Sequence, residues 1–273
     1  MRTFYRKIGK LLALPMRPLV ENEFDRQIQS RTGLTPITNT AAEDIFIAGY
    51  PKSGNTWFQN LIASVVFGMD GRFVPDTLVQ ALIPDVHAVR YYRRYLTPTI
   101  FKTHALPQPE YRRVVYLVRD GRDVMVSYLH HLAAIEKSAP DFLNLVETGE
   151  GLFPCRWHEH VEAWMANPHG ASMIRIAYEA LKKDPLSELR RFCEFAGIER
   201  DETLLEAVIR TNSFEVMKQK ERTFGSANLS WPRDKPFVRR GVVGSFKDEM
   251  PPAVLDSFMQ QSASAMAHLG YSV

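Results

Sequence analysis

Only two of the 273 residues are cysteine, Cys155 and Cys193. Two thiols cannot make a disulfide framework or, on their own, a structural zinc site, and a reducing, cytoplasmic setting is expected. No uninterrupted apolar run approaches the ~20 residues that cross a bilayer. No block of like charge, internal repeat or Gly/Ser linker divides the chain. Charge of one sign is also scarce: 34 Lys and Arg against 31 Asp and Glu leave a net charge of +3. That is too mild for a dedicated nucleic-acid binder, yet compatible with one basic pocket for a small polyanion. With 45% hydrophobic and 24% charged residues, the composition excludes a disordered or low-complexity chain.

At the N-terminus Arg2, Arg6, Lys7 and Lys10 precede Leu11 to Met16. This apolar stretch is short, contains Pro15 and lacks a small-residue cleavage site, so a signal peptide is not expected. Residues 1–40 read instead as a basic amphipathic extension packed on a domain spanning 41–273. Weak contact with an anionic membrane surface remains open for it.

Short β-rich apolar segments alternate with helical ones. Strands are expected at Ile45 to Ala48, Thr99 to Lys102, Val114 to Val118 and Met173 to Ala177, as continuous apolar runs suited to a sheet covered on both faces. Trp57, Phe58, Leu61, Ile62, Val65 and Val66 recur at helical spacing. Asp184, Pro185 and Gly197 bracket Leu186 to Ala196 as N-cap, first-turn proline and C′ glycine. The alternation implies a single-domain α/β fold with a central parallel sheet flanked by helices. Arg222 to Val238, rich in Gly, Ser, Asn and Pro, reads as a long loop of the kind that forms lids or binding segments.

The strand at 45–48 runs into Gly49-Tyr50-Pro51-Lys52-Ser53-Gly54-Asn55-Thr56-Trp57, which opens the next helix. Strand, glycine turn and helix N-terminus is an arrangement that aims backbone N–H groups at phosphate. Gly49, Gly54 and Thr56 fit the Walker pattern, but Asn55 stands where that pattern has its lysine, and the basic side chain is Lys52. The loop therefore reads as phosphate-binding without the parts of a nucleotide-hydrolysing P-loop. A plain strand-to-helix turn with a surface lysine is the alternative.

At this point the sequence resembles the cytosolic sulfotransferase family, whose 5′-phosphosulfate loop commonly reads Y-P-K-S-G-T-T-W. Seven of eight positions agree with Tyr50 to Trp57, and Asn55 is the departure. Three further segments resemble family motifs in the right order. Arg119, after the strand Val114 to Val118, and Ser127, eight residues on, match the pair that holds the donor's 3′-phosphate; a guanidinium fork and a hydroxyl suit that task. His104, in Phe101-Lys102-Thr103-His104, matches the family's catalytic base. Arg239-Arg240-Gly241-Val242-Val243-Gly244-Ser245-Phe246-Lys247 resembles R-K-G-x-x-G-D-W-K, which closes over the same 3′-phosphate through Arg239, Arg240 and Gly241.

The resemblance implies a P-loop nucleotide-kinase-like fold and a donor, 3′-phosphoadenosine 5′-phosphosulfate (PAPS), with no metal. His104 would take the proton of an acceptor hydroxyl or amine, while Lys52, assisted by Lys102 and Thr56, would stabilise the leaving phosphate oxygen. Ser53, Gly54, Asn55 and Thr56 would cradle the 5′-phosphosulfate. Trp57 and Phe214 would sandwich the adenine, with Tyr178 and Ser213 touching it, although both rings also suit a core. The acceptor is expected to be a small molecule, carbohydrate or lipid, and not nucleic acid. His130, His131, His158 and His160 read as surface or acceptor-pocket residues, since no metal-ligand spacing surrounds them.

Two rivals stay open. One is a P-loop kinase or other NTP-dependent phosphotransferase. The other is a binding module built on Arg90-Tyr91-Tyr92-Arg93-Arg94-Tyr95, which otherwise reads as a solvated helical face. After Lys247 the chain departs from the family's dimer motif, leaving the oligomeric state open.

Overall fold

The computed structural model describes residues 17–135, 140–226, 231, 232 and 234–272. The basic segment Arg2 to Met16 lies outside the described residues, as do 227–230 and 233 of the expected long loop.

The chain opens with helix α1 (Arg17–Thr32) and strand β1 (Thr35–Pro36), then enters β2 (Ile45–Gly49), α2 (Asn55–Phe67) and α3 (Asp76–Leu82). Strands β3 (Tyr91–Tyr92), β4 (Ile100–Thr103) and β5 (Arg113–Val118) follow, then α4 (Gly121–Ile135), α5 (Phe142–Thr148) and α6 (Trp157–Ala166). After β6 (Ser172–Ala177) the rest is helical: α7 (Tyr178–Lys183), α8 (Pro185–Ala196), α9 (Glu202–Thr211), α10 (Phe214–Phe224), α11 (Phe246–Glu249) and α12 (Pro252–Leu269). The principal sheet is parallel with order β4-β2-β5-β6, while β1 and β3 form a small antiparallel pair.

Alternation along β2 decides the two layers. Phe46 and Ala48 join Phe101, Val114, Tyr116 and Val118 in one core, packed with side chains of α4, α6 and α12. Ile45 and Ile47 join Ile100, Val115 and Leu117 in the other, with side chains of α2, α8 and α9. Because β2 is flanked by β4 on one side and β5 on the other, the strand order reverses there. Loops leaving the carboxyl ends of these strands meet at the reversal point, where open α/β sheets bind their ligands.

Four expectations are corrected by the packing. Strand β6 is an edge strand with exposed Ser172 and Arg175, so it is not buried on both faces. Arg222 to Phe224 belong to α10, because the helix continues to its stop at Gly225. The Arg90 to Tyr95 cluster is not a helical face: Tyr91 and Tyr92 pair as a strand with Pro36 and Thr35. Its side chains are also engaged, Tyr91 donating to Asp25, Tyr92 to the Asn39 carbonyl, and Arg94 forking onto Asp44. His160, finally, is fully buried, its Nδ1 3.1 Å from the Tyr116 hydroxyl. It is a core residue between Tyr50 and Tyr116, not a surface or pocket one.

Candidate active site

Every sequence-expected segment converges at the carboxyl end of the sheet. The loop after β2 carries Lys52 to Asn55, His104 follows β4, Arg119 follows β5, and Tyr178 follows β6. Lys52 has φ 73°, in the left-handed region where a lysine is strained, and its carbonyl accepts from Arg119 Nη1 at 3.1 Å. Gly54 has φ 91° and lies against the Tyr178 ring so closely that a Cβ there would fall 2.6 Å from Cδ2. The loop is thus pinned between two of its expected partners.

Within this loop Ser53 Oγ and Asn55 Oδ1 are buried without a hydrogen-bond partner among the described residues, and Arg119 Nε is in the same position. Buried polar atoms left unpaired are costly, and an anion bound over the loop would satisfy the donors among them. Asn55 uses its amide to donate to the Tyr50 carbonyl at 2.8 Å. At the position of the family's threonine, it braces the turn it belongs to.

The cations reinforce one another. Burial, followed by the charges of Arg119, Lys102 and Arg239, pushes the Lys52 ammonium down to about 8. Three positive groups close enough to lower a fourth make a site that favours a polyanion. Lys102, expected to assist Lys52 at the leaving phosphate oxygen, has its Nζ 2.8 Å from Asp85 Oδ2 in a buried ion pair. It contributes charge to the site, with one of its three ammonium donors directed at Asp85.

His104 Nδ1 lies 2.7 Å from the Gly49 carbonyl oxygen. A carbonyl only accepts, so Nδ1 carries the proton and Nε2 keeps its lone pair. Burial first, then the Lys102 cation, hold the imidazole well below its ordinary value, so it is neutral at physiological pH. The backbone N–H of His104 in turn donates to His87 Nε2 at 3.1 Å, and the two rings stack at 6.1 Å. His87 is brought there because the segment containing Asp85 hydrogen-bonds along β4, Val86 N to the Lys102 carbonyl and Lys102 N to that of Pro84.

The 239–246 segment is tied to the strand ends by Asp123, a fully buried carboxylate. It accepts from the backbone N–H of Gly244 and Phe246 and from the Ser245 hydroxyl, while Arg119 Nη2 donates to the Val242 carbonyl. Sequence reasoning missed Asp123; its position four residues after Arg119, one helical turn on, was the available signal. Ser127 is half-buried one turn further along α4. Arg239 and Arg240 both meet Glu249, at 2.6 and 3.0 Å. At the other end of the site, Trp57 and Phe214 each have Lys182 Nζ within 6 Å of the ring, at 5.8 and 5.5 Å. Ser213 caps α10 by accepting from Val216 N, and Gly241 packs against the Phe214 ring.

A family model for the sulfotransferase domain matches residues 42–270. The chain belongs to the sulfotransferase family. Among its relatives, rabbit (Oryctolagus cuniculus) sulfotransferase 1C2 is 29% identical over 234 residues, covering 77% of this chain and 79% of that protein. Mouse (Mus musculus) sulfotransferase 1E1 is 26% identical over 239 residues, covering 79% and 81%. The fold is shared with mouse sulfotransferase SULT7A1 complexed with PAP, at TM-score 0.61 and 23% identity over 84% of this chain and 86% of that one. Retinol dehydratase in a complex with retinol and PAP matches at TM-score 0.65 and 20% identity, over 86% and 84%. This sulfotransferase is therefore a PAPS-dependent transferase with the α/β fold expected from its sequence, and the kinase alternative is not favoured. Among the described residues, no helix is long and apolar enough to cross a membrane.

Proposed function

We propose that this sulfotransferase moves the sulfuryl group of PAPS to a hydroxyl of a small apolar acceptor, with His104 as base and Lys52 as the charge at the leaving oxygen. One observation carries the proposal: the Gly49 carbonyl fixes the His104 tautomer, leaving Nε2 as a free base at the edge of the phosphate loop. The donor supplies an activated sulfuryl group whose transfer leaves negative charge on a phosphate oxygen. Lys52 stabilises that charge as a mobile point cation, and Arg119, Lys102 and Arg239 add to the field. Ser53, Gly54, Asn55 and Thr56 hold the 5′ end; Arg119, Ser127, Arg239, Arg240 and Gly241 hold the 3′-phosphate; Trp57, Tyr178, Ser213 and Phe214 hold the base.

An aromatic wall supports an apolar acceptor. From Lys52 it runs through Phe237, 4.6 Å beneath the ammonium, to Trp231 and then to His131, stacked at 5.3 Å. From His104 it runs through His87 to Phe153, whose N–H donates to the Tyr128 hydroxyl, and Tyr128 packs edge-on against His131. This chain of ring contacts joins the two reacting side chains, and an acceptor placed between them would have aromatic neighbours on both sides. Retinol in the dehydratase complex is an acceptor-sized molecule of that character. Tyr91, Tyr92 and Arg94 of the Arg90 to Tyr95 cluster are engaged in the fold, which counts against a stacking platform for nucleic acid there. A cytoplasmic location suits the two free thiols.

Thermal stability with nucleotide tests the donor assignment. Ligand binding to the native state raises Tm by mass action, and PAP should raise it well above the shift given by ATP with magnesium. Equal shifts would remove the basis for assigning Arg119, Ser127 and Arg239 to a 3′-phosphate.

A further inference from the structure

Three groups on this chain share one carboxylate. Glu249 Oε2 is 2.6 Å from Arg239 Nη1 and 2.7 Å from His130 Nε2, and Oε1 is 3.0 Å from Arg240 Nη1. Arg239 and Arg240 are the two side chains of the 239–246 segment assigned above to the 3′-phosphate. Arg239 is near enough to Lys52 to lower its ammonium, and the segment behind it is fastened to Arg119 and Asp123. The Arg239 guanidinium is therefore held beside the loop cations, while both arginines are engaged with an internal anion. Glu249 ends α11, four residues from the Ser245 that Asp123 anchors, so its position is fixed by the same strap.

We propose that Glu249 is a displaceable counter-ion of the 3′-phosphate subsite: the phosphate takes Arg239 and Arg240 from it, and the carboxylate keeps His130. This rests on the assignment of the two arginines to the 3′-phosphate. A dianionic phosphate offers more charge and more acceptor oxygens to a guanidinium than a carboxylate does, so the exchange runs toward phosphate. His130 comes from α4 and not from the strap, which gives Glu249 a partner that does not move with the arginines. In the free protein the carboxylate cancels charge that would otherwise repel Lys52 and Arg119. In the bound state it weakens the grip on every ligand carrying a 3′-phosphate, the departing product included. Glu249 thereby trades affinity for release.

The test compares PAP with 5′-AMP, which lacks only the 3′-phosphate, on native protein and Glu249→Gln by calorimetry at low ionic strength. The glutamine retains an acceptor for one arginine and removes the competing charge. PAP affinity should rise about fivefold in the variant, AMP affinity should change less than twofold, and the PAP gain should shrink in added salt. Unchanged or weaker PAP binding by Glu249→Gln overturns the proposal, as does an equal change for both nucleotides. If native protein binds PAP no better than AMP, the arginine assignment itself falls, and the proposal with it. Thermal unfolding of the variant confirms its fold. His130→Ala is a second arm: it removes the carboxylate's retreat and should weaken PAP binding, and no weakening counts against the exchange.

Discussion

His104 Nδ1 and the carbonyl oxygen of Gly49 are 2.7 Å apart, which joins the end of β4 to the end of β2 through one imidazole. The two strands are parallel neighbours, with Ala48 opposite Thr103, so residues just past their ends are adjacent by register. The imidazole is aimed by the sheet, with a backbone carbonyl and not a carboxylate behind it. Replacing His104 with Ala should lower turnover about a hundredfold or more, the scale for losing a general base. PAP affinity should stay within about twofold, because the proposed base acts on the acceptor and not on the nucleotide. Single-turnover assays with titrations of PAP separate the two effects.

The pH profile follows from two depressed values. His104 is held below its ordinary value, so its base form persists into acid and kcat/KM should stay level as pH falls through 6.5. Lys52, pushed down to about 8, loses its ammonium as pH rises past that value, so kcat/KM should decline on the alkaline side. Lys52→Arg should keep the plateau into more alkaline pH, at a reduced rate. A profile of kcat/KM from pH 5 to 10 for both proteins checks this, since that ratio reports the free enzyme.

Asp123 should matter to donor binding without touching donor. Its carboxylate holds three groups of the 244–246 turn and stands 3.6 Å from Arg119 Nη2. Asp123→Ala should weaken PAP binding at least tenfold and lower stability by about 2–3 kcal/mol, the range for breaking a buried charged network. AMP binding should suffer less, because the strap carries Arg239 and Arg240, the arginines proposed to hold the 3′-phosphate. Calorimetry with both nucleotides and urea unfolding decide it.

Asp44 should set the acid limit of the fold. It is fully buried; burial raises its carboxyl, but the Arg94 fork and the N–H groups of Ala41 and Thr99 outweigh that and hold it below the usual 3.8. A native value below the unfolded one gives stability that is complete above the unfolded value and is lost as pH falls through the native one. Asp44→Asn should therefore cost about 3 kcal/mol at pH 7. The gap from the native protein should narrow below pH 4. Urea unfolding at pH 7 and pH 3 measures both.

Much of the site is legible in the chain because its parts are local. The loop Tyr50 to Trp57 contains its own turn, glycine and helix start, and Asp184, Pro185 and Gly197 bound α8 as expected, with Asp184 accepting from Ser187 N. The departures share a cause. His160 and Lys102 carry ordinary polar side chains whose fate depends on what packs against them from elsewhere: Tyr116 and Tyr50 for one, Asp85 for the other. The cluster at 90–95 has helix-compatible spacing, but pairing with residues more than fifty positions earlier makes it a strand.

The sequence by itself determined the α/β alternation, the phosphate loop with its displaced lysine, and the family, because hydrophobic period and turn chemistry act within a few residues. Tertiary structure decided which nitrogen of His104 is free, that Asp123 fastens the strap, and that Glu249 holds Arg239 and Arg240. Those outcomes depend on strand register and on helices meeting across the sheet, where contacts of long sequence separation set the charge, burial and proton position of each group.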